Sequence, residues 1–245
     1  MGERSMDFKV TVVTVVRNGE KVIGRLFDSI RKFKTAEVEF IVLDGLSTDD
    51  TLKLIGQNSD IIDNWLSEQD EGIYDAMNKA VDMARGRWLI FMGADDELLE
   101  GFSMMLPELQ ENNTIYYGKV FFHDTLITGP VKSDYKLTKS NICHQAIFYP
   151  AAVFNKYRYQ LRYIKCADYA LNLDLWGDDE FKFEYRDYLI ANFPEGGFSS
   201  GTVDTLFEND KEALIKRNLN RAAYYHYIKK NYGVVAMLKR MLFNK

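Results

Sequence analysis

This sequence has few cysteines, a small net charge and no long apolar run. Its two cysteines, Cys143 and Cys166, do not form a Cys-x-x-Cys pair, which argues against a zinc knuckle or a disulfide framework and favours a reducing compartment. A formal net charge of −5 disfavours non-specific binding to nucleic acid. No apolar run reaches the ~20 residues that cross a bilayer, and the first residues lack the apolar core of a signal peptide. We therefore expect a cytoplasmic protein that does not bind nucleic acid.

Two glycine-rich nucleotide motifs are also missing. The segment VRNGEKV, after the first apolar run, has no Gly-x-Gly-x-x-Gly, which makes a dinucleotide-binding fold improbable. No Gly-x-x-x-x-Gly-Lys-Ser/Thr occurs, so a P-loop enzyme is excluded as well. If the protein binds a phosphate, its charge must be neutralised in another way, for example by a divalent cation that carboxylates hold.

The first hundred residues alternate between apolar strands and amphipathic helices. Continuous apolar runs such as FKVTVVTVV and RWLIFM are typical of strands buried on both faces. Strands are predicted at residues 8–16, 38–43, 61–66 and 87–92. Helical spacing predicts helices at residues 22–33, from a cap at 47–50 through 54, and at 73–84. This order predicts an α/β fold with a mostly parallel sheet flanked by helices.

After Glu97 the pattern becomes mixed. Helices are predicted at residues 102–109, 150–157, 166–176 and 205–230. Strands are predicted at residues 114–123, 125–131 and 181–190, with a turn at 123–124 and a glycine-rich loop, PEGGFSSG, at 194–201. No repeat or low-complexity linker interrupts the chain, so we expect one domain with a parallel N-terminal half and a mixed C-terminal half.

Polar residues follow each of the four predicted parallel strands. They are Arg17 and Asn18, Asp44 and Gly45, residues 68–72, and Asp95 and Asp96. Ligands of an open parallel sheet bind beyond the carboxyl ends of its strands, so we expect these groups to share one rim. The Asp95-Asp96 pair suits a Mg²⁺ or Mn²⁺ ion. An alternative is that the pair caps the helix that follows it.

Three ordered motifs resemble those of family-2 inverting glycosyltransferases of the GT-A fold. They are VTVVTVVRN, IVLDGLSTDDT and SEQDEGIYDAMNKAVDMARGRWLIFMGADDEL. The last is similar to a version found in enzymes that build bacterial surface polysaccharides. The likeness is close over residues 8–98 and continues through CHQAIFYP and KCADYALNLDLW to about residue 201. It implies a single domain over 1–245 with a nucleotide-sugar half (8–98), an acceptor and catalytic half (99–204) and a helical, basic C-terminal segment (205–245).

The resemblance also implies roles for individual residues. The implied nucleotide-sugar ligands are Thr14, Val16, Arg17, Asn18, Asp44, Ser47, Asp70, Gly72, Asp75, Asn78 and Asp95. Within this set Asp44 would accept a hydrogen bond from a uracil N–H, whereas Asp75 and Asn78 would also suit an exposed helix face. Asp96, together with Asp95, would hold Mn²⁺ or Mg²⁺ against the donor diphosphate. Gly93 stands where the family usually has Asp or Asn, so this site has fewer carboxylates.

Asp168, in KCADYALNL, matches the position of the family's catalytic base. A base is needed because inversion proceeds by direct displacement, in which the acceptor hydroxyl loses a proton as it attacks. A helix N-terminus favours the carboxylate form of such a residue, although Asp168 could instead only cap its helix. His144 and Gln145, in CHQAIFYP, are implied to line the acceptor site, yet a histidine in such a run is also typical of a core.

The implied reaction is metal-dependent transfer of a hexose or N-acetylhexosamine from a nucleotide sugar, with UDP expected. The acceptor would be a hydroxyl of a glycan or a lipid-linked glycan in polysaccharide biosynthesis. A nucleotidyltransferase of related fold is an alternative, but it requires a glycine-rich, basic loop after the first strand. A non-catalytic module that binds nucleotides or carbohydrates is another alternative, and it would not need Asp168.

The C-terminal segment differs in charge from the rest of the chain. From Lys211 onward it contains nine Lys and Arg residues and one Glu, and it ends in YGVVAMLKRMLFNK. This pattern is typical of a basic amphipathic helix on an anionic membrane, and also of a helix that docks on the core. Under the first interpretation the protein would lie peripherally on the inner face of the cell membrane.

Overall fold

A computed structural model of the chain describes residues 7–122, 125–127, 129–193 and 203–243. The turn predicted at 123–124 and the whole loop predicted at 194–201 lie outside these ranges. Within them the strands are β1 (Phe8–Val16), β2 (Val38–Asp44), β3 (Asn64–Ser67), β4 (Gly86–Gly93), β5 (Glu97–Leu98), β6 (Thr114–Phe122), β7 (Thr125–Ile127), β8 (Ile147–Pro150) and β9 (Lys182–Phe193). The helices are α1 (Ile23–Phe33), α2 (Thr51–Gln57), α3 (Ile73–Met83), α4 (Glu100–Met105), α5 (Asp134–Leu137), α6 (Val153–Lys156), α7 (Ala167–Trp176), α8 (Thr205–Asn218) and α9 (Arg221–Phe243).

The N-terminal half of the sheet is parallel, as the sequence predicts. β1 pairs with both β2 and β4, and β2 pairs with β3, all in parallel. The register sets Val16 opposite Asp44, Asp44 opposite Ser67, and Val15 opposite Gly93. The carboxyl ends of four strands therefore finish at the same level, which brings the polar residues that follow them to one rim.

β1 is buried on both faces because its β-branched side chains alternate between two apolar layers. Val13 belongs to the cluster that contains Met77 of α3, whereas Val12 belongs to the cluster that contains Leu26 of α1. Burying one such side chain stabilises the fold by roughly 1.5–3 kcal/mol. The two layers therefore fix the strand on both faces, and with it the position of the residues that follow it.

The C-terminal half continues the same sheet with mixed pairing. The strand order is β3-β2-β1-β4-β8-β6-β9-β5, with β7 paired to β6. β8 runs antiparallel to β4 and to β6, and β6 runs parallel to β9. β8 is immediately preceded by a short 3-10 helix, His144–Ala146. This arrangement carries His144 of the C-terminal half towards the end of β4.

Some predicted elements were wrong. The helix predicted at 150–157 is reduced to α6, because Tyr149 and Pro150 instead pair with β4. The helix predicted at 205–230 is broken, because α8 ends at Asn218 and Asn220 caps α9 by accepting from the Ala223 N–H at 2.9 Å. The strand predicted at 125–131 ends at Ile127, and β5 was not predicted.

α9 has two parts that meet at Gly233, which adopts a φ of 86°. The first part docks on the core, where Tyr224, Tyr227 and Ile228 are buried. In the second part Ala236 and Met237 pack partly against the core, while the opposite side of the helix is exposed. Across the ranges described above, no helix combines the length and the apolar character needed to cross a bilayer.

Candidate active site

Asp44, the last residue of β2, is buried at the rim, and only one of its two carboxylate oxygens accepts hydrogen bonds. Its side chain belongs to a residue only 2% exposed. Oδ2 accepts hydrogen bonds from the Ser67 hydroxyl at 2.6 Å and from the Ser47 N–H at 3.0 Å. Oδ1 finds no hydrogen-bond partner among the described residues. A buried acceptor without a partner costs about 1–3 kcal/mol, so this oxygen is where a ligand donor is expected.

The loops after β1 and β2 are joined by Asn18 and Ser47. The Asn18 N–H donates to the Ser47 hydroxyl at 2.7 Å, and the Asn18 Oδ1 accepts from the Thr48 N–H at 2.8 Å. Asn18 has a φ of 53°, a left-handed conformation that asparagine tolerates better than most residues. Together these bonds make one rigid platform from two strand ends.

Asp70 approaches the same platform from the end of β3. A Cβ added to Gly45 would lie 2.4 Å from the Asp70 Oδ2, so only glycine allows this close contact. The other Asp70 oxygen accepts from the Gly72 N–H at 2.9 Å. Gly72 itself has a φ of 119°, which favours glycine. The structure thus brings Asp70 and Gly72 together with the Asp44 turn.

Thr14, Val16 and Arg17 differ in how far their side chains are exposed at the rim. Arg17 is exposed directly after β1. Thr14 is fully buried inside the strand, and its hydroxyl has no partner within the part of the chain that the structure covers. Val16 is buried, and its carbonyl accepts from the Gly45 N–H at 2.8 Å. The side chains of Thr14 and Val16 are therefore not presented at the rim.

Asp75 and Asn78 of α3 are both bonded within the protein. The Asp75 carboxylate accepts from the Glu71 N–H at 3.1 Å and pairs with Lys79 at 3.2 Å. The Asn78 amide bonds the backbone of Tyr159 in both directions, at 2.9 and 3.0 Å. Asn78 thus connects α3 to the C-terminal half, and neither side chain lies open at the rim.

Asp96 follows β4 and is 2% exposed. Its Oδ2 accepts from the Gly93 N–H at 2.5 Å, and no side chain caps α4 in this described region. Burial is the main cause that raises the pKa of Asp96 to about 6. The Asp95 charge acts in the same direction, whereas His144, the Gly93 N–H and the Gln145 side chain oppose it. His144 offsets only part of the cost of burying this charge, because the pKa of Asp96 stays raised.

The residues at the end of β4 fit a divalent cation shared with a substrate. In residues 7–122, 125–127, 129–193 and 203–243 no group of three or more His, Cys, Asp or Glu side chains could hold a metal on its own. Mg²⁺ and Mn²⁺ often use only one or two carboxylates, with substrate phosphates completing the shell. Asp95 and Asp96 supply such a pair, and a cation would offset the burial that raises the pKa of Asp96.

Asp168 lies in the first turn of α7, with its side chain 13% exposed. Its Oδ1 accepts from the Tyr74 hydroxyl at 3.0 Å, and its Oδ2 accepts from the Asn141 amide at 2.7 Å. Among the described contacts of α7 there is no side-chain cap. Asp168 is therefore held by side chains from other segments and does not serve as the cap of its own helix.

His144 lies between the two aspartates. Its Nδ1 is 3.4 Å from the Asp168 Oδ2, and it interacts electrostatically with Asp96. Burial disfavours the protonated imidazole, but the hydrogen bond to Asp168 and the charges of Asp168 and Asp96 outweigh it, so the pKa of His144 is raised. The N-terminal and C-terminal halves of the chain meet at this histidine.

Tyr74 and Asn141 contact Asp168 but were not singled out from the sequence. They are 94 and 27 residues away from it along the chain. Tyr74 follows Gly72 in a segment whose acids drew attention, and Asn141 precedes the CHQ run. Neither position has a local pattern that predicts a contact with α7, so only the folded chain reveals them.

Comparison with known families identifies the protein with this sheet and acidic rim as a glycosyltransferase. Residues 11–170 match glycosyl transferase family 2. The chain belongs to this family, which confirms the resemblance, the fold class and the enzyme class inferred from the sequence. The two alternatives, a nucleotidyltransferase and a non-catalytic module, lose their support.

Individual relatives agree with this assignment. The chain is 34% identical over 211 residues to PGL/p-HBAD biosynthesis glycosyltransferases of Mycobacterium bovis and Mycobacterium tuberculosis, covering 82% of this chain and 82% of theirs. S. aureus TarS 1-349 in complex with UDP-GlcNAc is similar with a TM-score of 0.69 and 16% identity, over 96% of this chain and 73% of that one. The mannosyltransferase PcManGT from Pyrobaculum calidifontis, in complex with GDP-Man and Mn²⁺, has a TM-score of 0.60 and 12% identity, over 98% and 81%.

Proposed function

We propose that this enzyme transfers a hexose or N-acetylhexosamine from a UDP-sugar, with inversion and with the help of Mn²⁺ or Mg²⁺. The acceptor is a hydroxyl of a glycan or a lipid-linked glycan in polysaccharide biosynthesis. The observation that carries the proposal is the position of His144, which interacts with both Asp168 and Asp96. This arrangement supports a base beside a metal ligand, as a displacement at a sugar diphosphate requires.

Recognition of the nucleobase of the donor is assigned to Asp44. Its unpartnered Oδ1 is an acceptor, so it favours a base that presents an N–H, as uracil does. Because the atom is closed to solvent, the residues that cover it must shift before a ligand reaches it, and we assign this movement to the adjacent turn from Gly45 to Ser47. TarS is solved with UDP and with UDP-GlcNAc, which supports a uridine donor. PcManGT binds GDP-Man, so a guanosine donor is the main competitor.

The remaining donor contacts fall into two groups. Arg17, Asn18, Ser47, Asp70 and Gly72 lie at the platform and are proposed to contact the nucleotide and its ribose through side chains or backbone. Contacts from Thr14, Val16, Asp75 and Asn78 would require backbone atoms or a rearrangement, because these side chains are buried or already bonded.

The chemistry is assigned to the groups around His144. Asp168 takes the proton of the acceptor hydroxyl while the oxygen of that hydroxyl attacks the anomeric carbon of the donor sugar. When bound, the cation supplies positive charge against the leaving diphosphate, and Asp96 and Asp95 are the side chains that would hold it. His144 and Gln145 are proposed to line the acceptor side of the same site.

A panel of nucleotide sugars tests this function. We expect release of nucleoside diphosphate from a UDP-hexose or a UDP-N-acetylhexosamine in the presence of Mn²⁺, and none after chelation with EDTA. GDP-sugars serve as the matched control, because guanine also presents an N–H on a larger ring. Turnover of GDP-sugars alone would contradict the uridine assignment, and full turnover in EDTA would contradict the metal assignment.

The partner proposed for the C-terminal segment is an anionic bilayer surface. Beyond Gly233, one side of α9 exposes a continuous apolar stripe, formed by Val234, Val235, Leu238, Met241 and Leu242. Val235 and Leu242 are 69% and 71% exposed. Arg240 is held by Glu212 of α8 at 2.7 Å, which fixes this part of α9 to the protein with the stripe outward.

Charge selects the bilayer over a second copy as the occupant of this stripe. Nine Lys and Arg residues lie from Lys211 onward in a chain whose net charge is −5, so the remainder is strongly acidic. An anionic surface attracts the segment and repels the rest of the protein, which orients the enzyme. This localisation is the inner face of the cell membrane, where a lipid-linked acceptor is also accessible.

Vesicle binding tests the stripe. The enzyme is expected to co-sediment with vesicles that contain about 30% phosphatidylglycerol, and less so as salt increases. Replacing Leu238 and Leu242 together by Ser should weaken binding roughly tenfold or more, because two apolar side chains are lost. Met104→Ser is the control, since Met104 of α4 is as exposed as Leu238, at 49%. A dimer that Leu238→Ser dissociates, without any vesicle binding, would identify a second copy as the occupant.

A further inference from the structure

We propose that Asn141 is a positioning residue for Asp168 and that a buried series of hydrogen bonds, from Tyr149 through Asn172, fixes its amide. The inference depends on the proposed role of Asp168 as the base. It adds three residues that were not candidate site residues from the sequence, and it links the base to the interior of the sheet.

The series has a defined direction. The Tyr149 hydroxyl donates to the Asn172 Oδ1 at 2.8 Å. The Asn172 oxygen is thereby committed, so its Nδ2 is turned towards Asn141 and donates to the Asn141 Oδ1 at 2.8 Å. The same Nδ2 also points to the Ile142 carbonyl at 3.4 Å. Tyr149 lies in β8 and Asn172 in α7, so two rigid elements set this polarity.

The hydrogen bond from Asn172 fixes the orientation of the Asn141 amide, which in turn donates to Asp168. Its Oδ1 accepts a second hydrogen bond, from the Ile142 N–H at 2.9 Å. With two donors on the oxygen, the Nδ2 has to face the Asp168 Oδ2, which it reaches at 2.7 Å. A flipped amide would set Nδ2 against two donors and Oδ1 against a carboxylate, so a single orientation satisfies all groups.

The inner members of this series of hydrogen bonds are buried. Tyr149 is 0% exposed and Asn172 is 1% exposed, so water cannot replace either of them, whereas Asn141 is half-buried. Polar groups in a core need complete pairing to avoid a penalty. An apolar pair would fill the space between β8 and α7 without this requirement. A fully paired polar series that ends on Asp168 is therefore best explained by what it does to that carboxylate.

Tyr74 is a weaker holder of the same carboxylate. Its hydroxyl is 3.0 Å from the Asp168 Oδ1 and 2.9 Å from the Lys165 carbonyl. One hydroxyl hydrogen is shared between these two acceptors, whereas the Asn141 Nδ2 points a hydrogen at Asp168 alone. We therefore assign the main orienting contact to Asn141. Its donor holds Oδ2 in place without neutralising the carboxylate, as a base requires.

Two variants of Asn141 test the assignment. Asn141→Ala removes the donor, and Asn141→Asp keeps the shape and the bonds to Asn172 and Ile142 but sets an oxygen against Asp168. Both are expected to lower kcat roughly 10- to 100-fold, because a misplaced reacting group loses about this much. The KM for the donor should stay within about twofold, since Asp44 and the platform are untouched.

The pH profile separates positioning from a general structural role. Loss of a donor to a carboxylate disfavours its charged form, so the acid limb of the kcat profile should move to higher pH in Asn141→Ala. Turnover is followed as UDP release from the donor sugar that the panel identifies. Asn218→Ala is the matched control, because this half-buried amide bonds Asp174 on the other side of α7 and should change stability only.

Asn172→Asp tests the remote part of the series. This variant can still accept from Tyr149, but it offers Asn141 an acceptor in place of a donor. The Asn141 amide should then turn its Nδ2 towards residue 172 and away from Asp168, and kcat should fall although residue 172 does not touch the base. Thermal unfolding of each variant checks that the fold is intact.

Each outcome decides between the two proposals. Full turnover by Asn141→Ala and Asn141→Asp, with an inactive Asp168→Asn, would overturn the positioning role and leave the base in place. An active Asp168→Asn would remove the base itself, and the role of Asn141 with it. If both Asn141 variants had a lower kcat but Asn172→Asp had the wild-type kcat, the positioning role would be limited to Asn141.

Discussion

Replacing Asp168 by Asn is expected to lower kcat by roughly 10²- to 10⁴-fold, the usual contribution of a general base. The variant should fold, because its partners can adapt. The new amide oxygen can accept from Asn141, and the new NH₂ can donate to the Tyr74 oxygen while Tyr74 donates to the Lys165 carbonyl. Only the ability to take a proton is lost. UDP affinity, measured by calorimetry, should stay within about twofold, because Asp44 is held by Ser47 and Ser67 and not by Asp168.

Asp174→Asn provides the control for this experiment. Asp174 lies on the same helix, is also largely buried, and pairs with Arg217 and Asn218. Its neutralisation should leave kcat unchanged while it affects stability. If Asp168→Asn turned over at the wild-type rate, another group would have to be the base, and the geometry around His144 would need a different explanation.

Replacing Asp96 by Asn is expected to have two opposite effects. Metal-dependent transfer should nearly disappear, because the buried candidate ligand for the cation is lost. The metal-free protein should become more stable at neutral pH, by up to roughly 3 kcal/mol, since about two pKa units are worth this amount. The reason is that burial raises the pKa of Asp96 from 3.8 to about 6.

The pH dependence fixes the sign of the second effect. The folded protein holds the Asp96 proton more tightly than the unfolded chain does, so the wild type loses stability as pH rises from 3.8 through about 6. Asn is neutral throughout, so the difference between variant and wild type should vanish below about pH 4 and be complete above about pH 7. Thermal unfolding across this range, with EDTA present, measures it.

Ligand addition completes the test of Asp96. Mn²⁺ with UDP should raise the melting temperature of the wild type and have little effect on Asp96→Asn, because binding to the native state stabilises it. Asp187→Asn is a surface control, since Asp187 is 76% exposed. Equal pH dependence of Asp96→Asn and wild type would mean that burial does not strain this carboxylate. Normal metal-dependent transfer by Asp96→Asn would move the cation elsewhere.

Much of the N-terminal half was predictable because its signals are local. The β-branched run from Phe8 to Val16 can satisfy only a strand buried on both faces, and β1 has these bounds. Parallel pairing then requires that strand ends meet, which is why Asp44 and Asp96 could be assigned to one rim from their positions alone. The third strand was placed early, at 61–66, and is observed at Asn64–Ser67.

The C-terminal half and the support of the site were less predictable, since long-range pairing decides them. Pro150 ends an apolar run that also suits a helix, and only pairing with Trp88 makes it part of a strand. The break between α8 and α9 depends on Asn220, whose N–H donates to the distant Asp134 at 2.7 Å. The contact of Tyr74 with Asp168 likewise has no local pattern.

The closed oxygen of Asp44 has a kinetic consequence for the proposed donor. If the Gly45–Ser47 turn must open before the base can pair with Oδ1, only the open fraction of molecules is competent, and the apparent affinity is reduced by that fraction. Association should then be slower than diffusion allows. Selection among bases would take place after the first encounter, when the turn closes again and a base without an N–H leaves the carboxylate unpaired.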